Sequence, residues 1–201
     1  MSIPNQLTFV RIVLSPVFLF MAISEDVIMK RLSVIVYFIA VITDWYDGWY
    51  ARKYKSITKI GIFLDPLADK ILTSMAFVFF YITDIFPIWM LIAIVIRDIA
   101  ITILRSYDEY NGETLRTSFN AKVKTFIQMT YIFLILLIEL ILSFDIGDKV
   151  RNSLNGFLHS GFNYFLMLVL TIITLYTGFE YLYDKFKHVK SIADNKEKEN
   201  N

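Results

Sequence analysis

The chain has 201 residues, enough for one domain with a short tail. Hydrophobic residues make up 56% of it and charged ones 19%, and mean hydropathy is positive, so a membrane-embedded chain is expected before a soluble one. A net charge of +1 argues against a nucleic-acid partner, and the lack of cysteine removes disulfides and thiol chemistry.

Six apolar segments follow in order, near residues 7–24, 32–49, 63–82, 86–104, 124–143 and 162–183. Each has roughly the 20 residues a helix needs to cross a bilayer, and helices satisfy their own backbones there. The expected fold is an all-α integral membrane protein, a six-transmembrane-helix bundle with residues 1–6 as a short N-terminal interfacial segment. The first segment contains Arg11 and no small-residue cleavage site, so it does not read as a removed signal. Pro16 is expected to kink the first helix, and Pro66 to remove one backbone bond from the third. Residues 1–190 read as a single membrane domain. Residues 191–201, rich in Lys, Glu and Asn, read as a disordered cytoplasmic tail.

Lys and Arg set the orientation. Arg52, Lys53, Lys55 and Lys59 follow the second segment. Arg105, Arg116, Lys122 and Lys124 surround the fourth connection, and five lysines follow the sixth segment. Lys30, Arg31, Lys149 and Arg151 on the other side are diluted by acids. Both termini are therefore expected in the cytoplasm, with the protein multi-pass in the inner (cytoplasmic) membrane. Arg11 is ambiguous, with snorkelling to the interface its plain reading; Glu139 is read as lying near the outer interface, and Trp45, Tyr46, Trp49 and Tyr50 as an aromatic belt. His159 and His188 read as surface histidines.

One stretch does not fit a plain membrane bundle. Asp44, Asp47, Gly48 and Ala51 fall at i, i+3, i+4 and i+7; Gly61, Asp65, Ala68 and Asp69 fall at i, i+4, i+7 and i+8. On helices each set is one stripe, two carboxylates flanked by small residues. Carboxylates in apolar surroundings are costly unless neutralised, which suggests a cation. With no cysteine in the chain and no histidine nearby, the donors are oxygens, which favour magnesium, manganese or calcium. In the inferred topology all four acids share one depth at the cytoplasmic side. Asp44, Asp47 and Asp65 are assigned as metal ligands, with Asp69 either a ligand or a base. Gly48, Ala51 and Gly61 leave room for a ligand, against the plainer reading of helix-packing small residues. Arg52 is placed to reach a phosphate, and Asn5 and Thr8 to close the cavity from below.

The pattern Asp44-x2-Asp47-Gly48-x2-Ala51-Arg52-x8-Gly61-x3-Asp65-x3-Asp69 resembles the signature of the CDP-alcohol phosphatidyltransferases and is complete. Asn5-Gln-Leu-Thr8-x2-Arg11, Arg97-Asp98-Ile-x5-Leu104-Arg105 and Lys122-Val-Lys124-Thr-x2-Gln128 are similar to the bacterial phosphatidylglycerophosphate synthase branch, except that Asp98 stands where that branch more often has Glu. The resemblance implies transfer of a phosphatidyl group from CDP-diacylglycerol to glycerol 3-phosphate, releasing CMP. It also implies two divalent metals (Mg2+ or Mn2+) per active site and a homodimer. It makes Asp69 the proton acceptor and Thr58 a nucleotide contact.

An acceptor phosphate needs cations beyond the metals, and Arg97, Arg105, Lys122 and Lys124 are the candidates. The plainer reading of Arg97 is an ion pair with Asp98, and that of Lys122 and Lys124 interfacial anchoring. Tyr176, Glu180 and Tyr183 are candidates to face a dimer partner. Rival readings use another acceptor, inositol phosphate or phosphatidylglycerol (giving cardiolipin), or make the chain a divalent-cation transporter.

Overall fold

The computed structural model describes residues 3–54, 59–110, 112 and 118–199, excepting the side chains of 3–5, 45, 47–54, 59, 60, 62, 188, 189 and 191–199. Among the described residues seven helices follow one another: α1 (Ile3–Ala22), α2 (Val27–Tyr54), α3 (Lys59–Ile82), α4 (Ile88–Tyr110), α5 (Phe119–Leu142), α6 (Asp148–Leu158) and α7 (Gly161–Glu199). No strand occurs among the described residues, as expected for an all-α chain. Six helices correspond to the six apolar segments.

Three features differ from expectation. The helix α6 has only 11 residues and is too polar to register as an apolar segment. It forms because Leu154, Phe157 and Leu158 recur at i, i+3 and i+4 and pack on the core. Secondly, α1 runs unbroken from Ile3, so no separate segment precedes it over residues 3–6. Thirdly, α7 continues as helix through residues 191–199, where composition had pointed to a disordered tail. Lys, Glu and Ala are good helix formers, and a helix already nucleated in the bundle extends through them at little cost. Pro16 and Pro66 lie inside α1 and α3 without ending them.

The core is graded along the bundle. On α1, Thr8, Arg11, Ser15, Phe18 and Ala22 form one buried stripe, polar at its start and apolar at its end. On α4, Met90 and Ile94 lead to Asp98 at the same i+4 spacing. On α5, Lys124 and Gln128 lead to Ile132, Ile135 and Leu136. One half of the bundle is therefore a largely apolar plug, in which Phe77 lies edge-on to both Phe80 and Phe86. The other half, which carries the carboxylate motif, is polar inside.

Outside, the order is reversed. Phe9, Phe20, Ile42, Ile96, Phe126 and Ile172 are large, apolar and exposed. A surface this apolar suits lipid rather than water. Among the described residues, Phe119–Leu142 and Asp148–Lys187 are long and apolar enough to cross a membrane, with mean hydropathy 2.2 and 1.7. Charges inside α2, α3 and α4 lower the hydropathy of the other long helices.

At the apolar end two cations act as helix caps. Arg31 donates to the Ser143 carbonyl at 2.7 Å and lies 4.1 Å above the Phe144 ring, and Arg151 donates to the Leu142 and Phe144 carbonyls. These are carbonyls at the end of α5, where positive charge is favoured. Glu139 borders a small cavity of about 120 Å³ at this end, with Lys30 and Ser33.

Candidate active site

The carboxylate motif is organised by α1. Thr8 and Arg11 lie one turn apart on the buried stripe and are both fully buried. Thr8 Oγ1 donates to Asp65 Oδ1 from α3. Arg11 Nη1 lies 2.5 Å from Asp44 Oδ1 from α2. The two halves of the motif therefore meet at a single turn of a third helix. The ambiguity over Arg11 is thereby resolved: it is buried and paired rather than snorkelling to an interface. A fully buried guanidinium needs a carboxylate partner, and Asp44 supplies it.

Beside this meeting point opens a cavity of about 710 Å³, within the range of small-molecule sites, among α3, α4, α5 and α7. Pro66, Asp69 and Lys70 of α3 line it, so the motif and the cavity are contiguous. Lys70 Nζ lies 3.3 Å from Asp69 Oδ2. Arg97, Arg105 and Lys124 also line it.

Asp98 ties the cavity wall together from behind. It is buried, and Lys124 Nζ reaches both its oxygens at 2.5 and 2.7 Å. Arg97 Nη1 donates to it at 3.0 Å and Gln128 Nε2 at 3.2 Å. Two cations share one carboxylate, leaving a fixed surplus of positive charge at the wall. Arg97 is held further by Thr177 Oγ1 at 2.7 Å. A Cβ on Gly178 would come within 3.0 Å of the Arg97 Cγ and Nε, so this glycine gives Arg97 its space.

The expected acceptor cations thus divide. Arg97 makes the plainer ion pair with Asp98 and still borders the cavity. Lys124 does both as well, and is buried rather than an interfacial anchor. Arg105 lines the cavity from an exposed position. Lys122 is exposed and absent from the lining, because two residues along a helix turn a side chain to the other face. Gly61 is buried near the start of α3. Asp47, Gly48, Ala51 and Arg52 lie on α2 and Asn5 on α1, but their side chains fall outside the described residues, as Thr58 does entirely.

Sequence reasoning missed the wall built by α7. Thr177, Glu180, Tyr181, Asp184 and Lys187 line the cavity. Glu180 accepts from Ser118 Oγ at 3.3 Å and from Asn120 Nδ2 at 3.2 Å, whereas Tyr176 and Tyr183 are exposed. Glu180 thus bonds to groups of its own chain. Asp108, buried on α4, accepts from Tyr181 Oη at 2.9 Å and Lys185 Nζ at 2.7 Å, which fastens α7 along the cavity. The signal was present as polar residues at i, i+3, i+4 and i+7 from Thr177.

The residues fit a hard divalent cation. Asp44 and Asp65 bring oxygen donors from two helices to one turn of α1, and oxygen is the donor type such a cation takes. Among the described residues no group of three acidic or histidine side chains forms a closed cage.

Oxygen donors from two helices thus converge beside a cavity with cationic side chains on its wall, inside a helical bundle. The chain belongs to the CDP-alcohol phosphatidyltransferase family, which matches residues 1–177. It is 31% identical over 205 residues to a CDP-diacylglycerol–glycerol-3-phosphate 3-phosphatidyltransferase of Bacillus subtilis (strain 168), covering 94% of this chain and 98% of that one. Proteins of the same name from Sodalis glossinidius (strain morsitans) and Blochmanniella floridana are 30% and 37% identical. The first covers 94% of this chain and 99% of its own, the second 64% and 70%.

Proposed function

We propose that the protein is a six-span membrane enzyme that transfers the phosphatidyl group of CDP-diacylglycerol to glycerol 3-phosphate. Both termini and the active site face the cytoplasm, and two chains form the working dimer. The observation that carries the reading is the convergence of Asp44 and Asp65 on one turn of α1, next to a cavity bearing Asp69, Arg97 and Lys124. The relatives' shared name supplies the substrates.

The acceptor hydroxyl oxygen attacks the phosphorus that bears diacylglycerol. A new P–O bond forms, the P–O bond to CMP breaks, and the hydroxyl proton passes to an Asp69 carboxylate oxygen. Asp44, Asp47, Asp65 and Asp69 would hold the divalent cations, which when bound would neutralise the diphosphate and stabilise charge on departing CMP. Arg97, Arg105 and Lys124 hold the acceptor phosphate, and the Asp98 tie keeps two of these cations in place before substrate arrives. Such preorganisation is what makes electrostatic catalysis effective. The apolar plug beyond the cavity, with Phe77, Phe80 and Ile135 buried, argues against the ion path a transporter needs.

Purified protein in mixed micelles with CDP-diacylglycerol and a panel of acceptors tests the reading. Glycerol 3-phosphate should be used well above inositol phosphate or phosphatidylglycerol; preference for either of those would replace the acceptor assigned here. Removing divalent cations with a chelator should abolish turnover, and Mg2+ or Mn2+ should restore it. Turnover that survives chelation would remove the metal from the reading. Arg105→Ala should raise KM for glycerol 3-phosphate by about tenfold or more, the loss of one charged phosphate contact, and leave KM for the donor within twofold. A change confined to the donor would relocate the acceptor subsite.

A further inference from the structure

The match to the family ends at residue 177, yet the cavity wall does not. Glu180, Tyr181, Asp184 and Lys187 of α7 line the same space beyond that point. Arg97, Arg105 and Lys124, the acceptor contacts proposed above, line the same space, so this later wall borders the acceptor. Its placement is ordered. Along α4 the lining runs from Arg97 through Arg105 to Glu109, and along α7 from Thr177, bonded to Arg97, through Glu180 to Asp184. Around Arg97 the lining is mainly cationic, with Lys70 and Lys124 beside Asp69, and three carboxylates with one cation, Lys187, gather toward the end where α5 begins. Glu180 is the fixed member of that set. It is half-buried, and its two oxygens are held by Ser118 and Asn120 at the start of α5, where a helix N-terminus favours a negative charge. Glu109 and Asp184 are exposed.

From this we infer that Glu180 is a specificity residue. Its carboxylate faces the part of the acceptor opposite the phosphate, accepts hydrogen bonds from neutral hydroxyls, and repels acceptors that carry a second anionic group. The inference rests on the reaction proposed above. A fixed like charge is an economical way to reject a competitor that the deeper cations would otherwise attract. A simple phosphorylated polyol satisfies both ends of the cavity, whereas a bisphosphate meets the cations at one end and Glu180 at the other.

Glycerol 3-phosphate and glycerol 2,3-bisphosphate, each with a free primary hydroxyl, are compared as acceptors and as competing ligands for the purified enzyme. Wild type should prefer the monophosphate strongly in kcat/KM. Glu180→Gln, which keeps the shape and one acceptor oxygen, should shift that ratio toward the bisphosphate on the order of tenfold, the scale of one partly screened charge at this range. Ser118→Ala, which breaks the same tie between α5 and α7 but leaves the charge, should lower thermal stability without moving the ratio. A ratio unchanged in Glu180→Gln, or moved equally by Ser118→Ala, would reduce Glu180 to a tie between helices. A wild-type enzyme that uses glycerol 3-phosphate but does not discriminate also overturns the inference, with the proposed reaction intact. An enzyme that uses neither acceptor overturns both.

Discussion

Asp69→Asn should lower turnover by about 10²–10⁴-fold, the range associated with a lost general base. The substitution is nearly isosteric, and Asp69 is only partly buried, so the bundle should remain folded. Asp44 and Asp65 are untouched, along with their contacts to Arg11 and Thr8. CMP or CDP binding, measured by calorimetry in detergent, should therefore stay within about tenfold of wild type, one order of magnitude being 1.4 kcal/mol. The two readouts separate the roles open to this residue. Lost turnover with retained nucleotide binding marks a base. Loss of both in proportion, recovered at high Mg2+, marks a metal ligand only. Asp65→Asn should instead weaken metal and nucleotide together, because that carboxylate sits with Asp44 at the turn of α1. Normal turnover in Asp69→Asn would remove the residue from the mechanism.

The motif was legible because helical periodicity alone puts Asp44 with Asp47, and Asp65 with Asp69, on single stripes. That Asp44 and Asp65 face a common neighbour was not, since it depends on how α1 packs against both helices. Arg11 illustrates the limit. A lone arginine in an apolar run can snorkel or pair, and what decides is a carboxylate 33 positions further along the chain. Lys122 could have been set aside from spacing, because it and Lys124 cannot both face one cavity. The α7 wall was overlooked for a different reason. Its polar stripe begins within an apolar segment and continues past it, so a reading by apolar segments cuts the stripe in two. α6 escaped by the same rule, since an 11-residue helix with a narrow apolar face never reaches spanning length.

The Asp98 knot yields the other large effect. Asp98 lies outside the motif, yet it holds the wall on which the acceptor phosphate is proposed to bind. Replacing it with Asn leaves Arg97 and Lys124 side by side with no negative partner among the described residues, both largely withdrawn from water. Removing one member of a buried charge cluster costs about 3–5 kcal/mol, mainly from the stranded charges. Asp98→Asn should therefore lower the thermal midpoint clearly in detergent and raise KM for glycerol 3-phosphate. Asp98→Glu keeps the charge and resembles the residue more often found in this branch of the family. It should fold with near-normal stability and retain activity within about tenfold, a shift of 1.4 kcal/mol. Adding Lys124→Met to Asp98→Asn removes one surplus cation, so stability should recover in part while acceptor KM stays high. The double variant separates folding from binding: one cation fewer steadies the bundle but leaves the phosphate with less to hold. If Asp98→Asn kept both its thermal midpoint and its KM, the cluster would carry neither role, and the positive wall would have to be held by other residues.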